Sequence, residues 1–233
     1  MERIQAVQEY VDQVLRSMKK ASGMNYLVLA MLAFAGLGLE VLLAFGIEPV
    51  IYGAPMKQWT DLQNILHWVM TCILWGAAGW YITQYAKNKY HFNIFQKGNK
   101  MVAWQWILII VFVIGSLILS YIDWNGSKIV KEFYANGPLK FIFQYIYYIF
   151  ETVLVMLILV FGQKAFEEWF QNPNIPYGGI IVAATWGIGH FFTKDIATGI
   201  VTILSGLAFG SVYLLTNRDI RKTYPILWMM FVL

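Results

Sequence analysis

Six apolar stretches, each close to the roughly 20 residues a helix needs to cross a hydrocarbon core, dominate this chain. They fall at about 24–46, 62–84, 104–123, 139–162, 177–193 and 196–216, and a shorter run, 224–233, ends the sequence. The expected fold is an all-α integral membrane protein with about six transmembrane helices, a short C-terminal hydrophobic helix and an N-terminal amphipathic helix. Composition agrees: 13% of residues are charged, against about a quarter in soluble domains. The spans consume most of the 233 residues, so 24–233 reads as one polytopic domain with short loops. Ten residues of helix cover only about 15 Å, so 224–233 is expected to tuck against the bundle and not to cross.

The first 23 residues carry seven charges and no unbroken apolar core. A signal peptide is therefore not expected, and the first span would serve as its own insertion signal. Ile4, Val7, Val11, Val14 and Met18 form one apolar seam at helical spacing, so 1–23 reads as an interfacial helix on the inner leaflet or as a docking helix for a partner. The net charge is +4, but Lys and Arg lie in loops and not on one face. No nucleic-acid partner is expected. Placing the N-terminus in the cytoplasm puts 12 of the 17 Lys and Arg inside, as the positive-inside rule favours for a multi-pass protein of the cell (cytoplasmic) membrane. The basic stretch 86–105 can then contact anionic membrane lipid. The single cysteine, Cys72, excludes an intramolecular disulfide and reads as a small buried hydrophobe. Clusters of small residues, Ala183 with Gly187 and Gly206 with Gly210 among them, mark places where helices approach closely.

Ionisable side chains at membrane depth are costly. Glu40 and Glu151 both lie inside apolar runs; each either lines a cavity for a cation or proton, or is a protonated carboxyl bonded to a neighbour such as Gln144 or Tyr148. His67 reads as structural or interfacial, and 124–138 as an outer loop ending in a turn. Glu167 and Glu168, near the end of a helix that would run from Pro138 for more than 30 residues, are either a solvated helix end or, if Gly162 bends the helix, carboxylates facing a water-filled cavity. His190, with Lys194 and Asp195 nearby, offers no three-ligand spacing, so neither a metal nor another cofactor is expected.

The stretches "EEWFQN", "WGIGH" and "LSGLAFGSVYLLTNRDIRKTYPIL" resemble a pattern of the CPBP membrane proteins, also called Abi, which include the type II CAAX prenyl proteases and bacteriocin-immunity proteins. The likeness covers about 160–233. It implies an intramembrane endopeptidase (a hydrolase) in which Glu167 is the general base, Glu168 its neighbour and His190 the partner that positions water. The pattern breaks elsewhere: Asn172 stands where the family has arginine, and Met229 and Leu233 fall where a second histidine and an asparagine are expected. Neither methionine nor leucine can donate a hydrogen bond to an oxyanion. Spacing adds a further break, because straight antiparallel helices would leave Glu167 and His190 about a dozen ångströms apart in depth unless a helix broke near Gly178 and Gly179. The expectation is a pseudoenzyme that binds a protein or peptide partner in the membrane, in an immunity, scaffold or regulatory role. An active glutamate-dependent endopeptidase and a small ion-coupled transporter are the alternatives.

Overall fold

The computed structural model describes Gln5, Val7 and residues 21–233, so the amphipathic helix expected over 1–23 lies almost wholly outside the described residues. Those residues are helical throughout, without a strand. Helix α1, Gly23–Leu42, starts at a capping box of Ser22 and Asn25 and continues through a π turn, Leu43–Ile47, into α2, Glu48–Tyr52. Helix α3, Asp61–Tyr90, starts at the Thr60–Gln63 capping box and carries Lys87 and Lys89 in its last turn, where cations favour the helix dipole. Then come α4, Ala103–Asp123, and α5, Lys128–Phe170. Next, α6, Tyr177–Val182, leads through a second π turn, Ala183–Gly187, to α7, Ile188–Thr193; α8, Ile196–Leu215, and α9, Ile220–Val232, complete the chain. Among the described residues, five helical paths are long and apolar enough to cross a membrane: Gly23–Tyr52, Asp61–Tyr90, Ala103–Asp123, Lys128–Phe170 and Ile196–Leu215. This is an all-α, multi-pass membrane architecture.

Helix α5 is the spine. Residues 154–163 are all buried, and α1, α3, α6 and α9 pack around it. Gly137, at φ 67° and ψ 173°, divides α5 into a short helix over 128–136 and a long one over 138–170. Pro138 opens the long part, where its missing N–H costs nothing. The stretch expected as an outer loop is thus partly helical, and it buries Glu132.

Gly206 and Gly210 do sit at a close crossing, and Gly187 meets the α8 backbone at Ile203, whereas a Cβ on Gly38 in α1 would meet no atom within 4 Å. A Cβ on Gly179 would lie 2.7 Å from the Gly206 carbonyl oxygen and 2.8 Å from Gly210 Cα, so α6 and α8 touch backbone to backbone. Gly178 and Gly179 therefore do not break the helix; the irregularity comes at the π turn instead, whose flanking residues keep right-handed helical angles.

The connection 171–176 folds back along α5. Gln163 Nε2 donates to the Ile175 carbonyl at 2.9 Å, and the Gly178 amide donates to Gln163 Oε1 at 2.9 Å. Helix α6 consequently starts level with the turn around Gln163, and the last turns of α5 project past it. Helix α9 lies against α5, α4 and α8, with Leu227 and Met230 buried.

Candidate functional site

Two polar clusters lie toward opposite ends of the bundle. At the first, Glu167 Oε1 accepts from Arg218 Nε at 3.0 Å, Arg218 Nη2 at 2.7 Å and Gln163 Nε2 at 2.7 Å. Arg218 Nη2 also donates to the Pro173 carbonyl at 2.6 Å, tying the return loop to the same guanidinium. Glu168 pairs with Lys164 at 2.7 Å. The guanidinium that meets Glu167 thus comes from the turn after α8. Asn217 and Arg218 both hold positive φ, 56° and 60°, a conformation that costs L-residues energy and that aims Arg218 at Glu167. The turn is braced from the other side. Asn217 Nδ2 donates to the Asn99 and Lys100 carbonyls, Gln105 Nε2 donates to Asn217 Oδ1, and the Gly98 amide donates to Asp219 Oδ2. The Arg221 side chain on Asp219, helped by backbone N–H groups of Arg221 and Gly98, pushes the Asp219 carboxyl down to about 2. A cavity of about 190 Å³ opens beside Glu167, Gln163, Lys164, Arg218 and Tyr213.

The second cluster gathers residues from α1, α2, α3 and α5 and from the path through the second π turn into α7. Glu48 Oε2 lies 2.6 Å from His67 Nδ1, and Glu40 Oε1 lies 3.6 Å from His67 Nε2. Glu48 and His67 are buried, while Glu40 keeps partial exposure. The Tyr147 hydroxyl turns toward Glu40, and Glu151 lies within electrostatic reach of Glu40. Glu151 Oε1 accepts from the Trp186 indole at 3.0 Å, and His190 Nδ1 meets the Trp186 carbonyl at 2.8 Å with the two rings 4.6 Å apart. Next to it, Glu132 is held by Tyr148, Gln144 and Tyr145 at 2.6, 3.0 and 3.0 Å.

The structure does not bring Glu167 and His190 together. Glu151 is level with Trp186, one turn before His190, and sixteen residues separate Glu151 from Glu167. At 1.5 Å per residue Glu151 and Glu167 lie about 24 Å apart along α5, and His190 lies about a turn farther still, so its separation from Glu167 is at least twice the expected dozen. The cause is the return loop, which starts α6 well back along α5. The partners expected for Glu151, Gln144 and Tyr148, go to Glu132 instead. Sequence reasoning missed Glu48, Glu132, Lys128 and Arg218. Only Glu48, one residue before Pro49 at the end of an apolar run, offered a signal.

An apolar cavity of about 300 Å³, lined by Trp68, Cys72, Gly76 and Phe150 among others, lies between α3 and α5. No three His, Cys, Asp or Glu side chains converge as metal ligands among the described residues. No family model matches this chain, and no curated protein or solved structure is similar to it.

Proposed function

We propose that this chain is a multi-pass protein of the cytoplasmic membrane, N-terminus inside, that holds a protein or peptide partner in the bilayer and does not hydrolyse it. In this reading the path from Tyr177 to Thr193 is a sixth crossing. The C-terminal likeness to CPBP proteins then reflects a shared scaffold whose chemistry has been taken apart. The observation that carries the reading is the Glu167–Arg218 pair. The endopeptidase reading needs Glu167 and a histidine on one water, each within about 3 Å of it; Glu167 Oε1 is instead tied to Arg218 and Gln163 by three N–H bonds. Its expected partner His190 lies at the far cluster.

The test is to incubate the purified protein in nanodiscs with a panel of synthetic transmembrane peptides, then follow photo-crosslinking and cleavage by mass spectrometry. The expected result is saturable crosslinking of intact peptide. Cleavage that disappears in Glu167→Gln would overturn the reading in favour of an endopeptidase at the first cluster. Cleavage lost in Glu151→Gln or His190→Ala would overturn it in favour of hydrolysis at the second. The convergence of Glu40 and Glu151 favours one further reading, an ion-coupled carrier. Unchanged ion flux in liposomes when both are replaced by glutamine would remove it.

A further inference from the structure

The second cluster holds more acceptors than donors. If His67 Nδ1–H donates to Glu48, Nε2 of the neutral ring is an acceptor. It faces another acceptor, Glu40 Oε1, across 3.6 Å, which is too long for a hydrogen bond. His67 is fully buried, and its Nε2 has no hydrogen-bond partner among the described residues. Protonating Nε2 leaves one imidazolium between two carboxylates, Glu40 and Glu48, with Glu151 within electrostatic reach of Glu40. The nearby ammonium of Lys128 acts on Glu132 and Glu151 and not on the carboxylates at His67; it donates to the Phe231 carbonyl at 2.7 Å and stands over the rings of Tyr148 and Phe231, at 4.8 and 5.4 Å. Negative charge therefore stays in excess in a setting where unpaired charge is expensive.

Aromatic rings stand beside these groups. Trp59 lies 5.5 Å from His67, Trp75 lies 4.8 Å from Tyr147, and Trp186 reaches Glu151 through its indole nitrogen. Carboxylates spread around a buried, unpartnered acceptor and walled by indole and phenol rings suit a ligand with several N–H donors and a positive charge. Ammonium meets both demands, by charge-assisted hydrogen bonds and by cation–π attraction. Lys128 shows the same end of the bundle lodging an ammonium against aromatic faces. Glu40, Glu151 and His190 retain partial exposure, so the cluster has an open side, with Glu48 behind His67 as the group that orients it.

We propose that Glu40, Glu151 and His67 Nε2 form a binding site for a primary ammonium group, supplied by a lysine side chain of the membrane partner. The peptide source rests on the partner-binding reading above; the ammonium site itself does not.

The experiment titrates the full-length protein, in nanodiscs of zwitterionic lipid, with n-hexylammonium and its neutral isostere n-hexanol, reading intrinsic tryptophan fluorescence. A lysine-bearing transmembrane peptide and its norleucine counterpart are titrated in parallel. Saturable hexylammonium binding at least about tenfold tighter than hexanol is expected, one charge-assisted contact being enough for that factor. Glu40→Gln and Glu151→Gln should each weaken it about tenfold, and Glu167→Gln should leave it unchanged. Should the glutamine variants fold poorly, Glu151→Lys provides the second test: it places an ammonium in the site and should abolish hexylammonium binding while the protein stays monodisperse. Equal affinity for hexylammonium and hexanol, or undiminished binding in the folded variants, overturns the ammonium site. If both peptides bind equally while hexylammonium does not, the site falls and partner binding stands. If hexylammonium binds at Glu40 and Glu151 but neither peptide does, the site stands and its peptide source falls.

Discussion

Replacing Arg218 by methionine removes three hydrogen bonds at once: two to Glu167 Oε1 and one to the Pro173 carbonyl. The pair is neither sealed nor fully wet, with side-chain exposures of 36% and 18%. Its worth therefore falls between an exposed ion pair, up to about 1 kcal/mol, and the roughly 3–5 kcal/mol lost when a buried pair is broken. About 2 kcal/mol is the working figure, a value that also matches one or two hydrogen bonds to a charged group. For a chain of this length each kcal/mol moves the thermal midpoint by about 2–4 °C, so Arg218→Met should lower it by about 4–8 °C. Glu167→Gln keeps an amide oxygen and leaves the Pro173 bond intact, so it should cost less. A double-mutant cycle measured by thermal unfolding in mild detergent isolates the pair, and a coupling of about 1–2 kcal/mol is expected. Strict additivity of the two single variants would refute the argument, because it would mean that Arg218 stabilises the return loop alone and that Glu167 is not held by it.

Four further outcomes follow from the backbone and from one carboxylate. Gly179→Ala drives a methyl into the backbone of α8 and should destabilise by about 1–3 kcal/mol in the same unfolding assay. Gly137→Ala meets no atom within 4 Å, yet its φ of 67° and ψ of 173° should cost about 1–3 kcal/mol. Gly38→Ala, in the middle of α1 and equally unobstructed, should be neutral or stabilise by up to about 1 kcal/mol. Asp219 has its carboxyl pushed down to about 2, below the roughly 3.9 of an unfolded aspartate. Its stabilising contribution is complete above the unfolded value and is lost as pH falls through the folded one. Thermal midpoints measured from pH 6 to pH 2.5 should therefore fall more steeply in the wild type than in Asp219→Asn.

The spans were legible because hydropathy is a local property, and the positions of α1, α3, α4, α5 and α8 follow it closely. The close-packed glycines were legible for a related reason, since small residues at helical spacing mark one face of one helix. The polar clusters were not. His67 meets Glu40 and Glu48 across 27 and 19 intervening steps of chain, and nothing in "LQNILHWV" announces which faces will touch. Glu132 lies in a stretch whose Asn, Gly, Ser and Pro read as loop, and only the break at Gly137 lets it turn back into the bundle to meet Tyr148. Arg218 shows the limit of motif reasoning: the guanidinium opposite Glu167 exists, but it arrives from another helix end, through two residues in left-handed conformation, and not from the fourth position after the glutamates. The return loop misled the depth estimate because its hydrogen bonds to Gln163 are invisible in its sequence.

The 33 residues from Pro138 through Phe170 extend about 50 Å, well beyond a hydrocarbon core of about 30 Å. Such a mismatch is met by tilting the helix, by local thickening of the bilayer, or by letting one end stand clear of the lipid tails. With Glu167 and its arginine in one headgroup layer, Glu151 lies about 24 Å deeper, within a few ångströms of the opposite headgroups and not at the midplane. Bilayer thickness then becomes a physical control on the second cluster: a thin membrane brings Glu151 to the water, and a sterol-thickened one draws it into the tails.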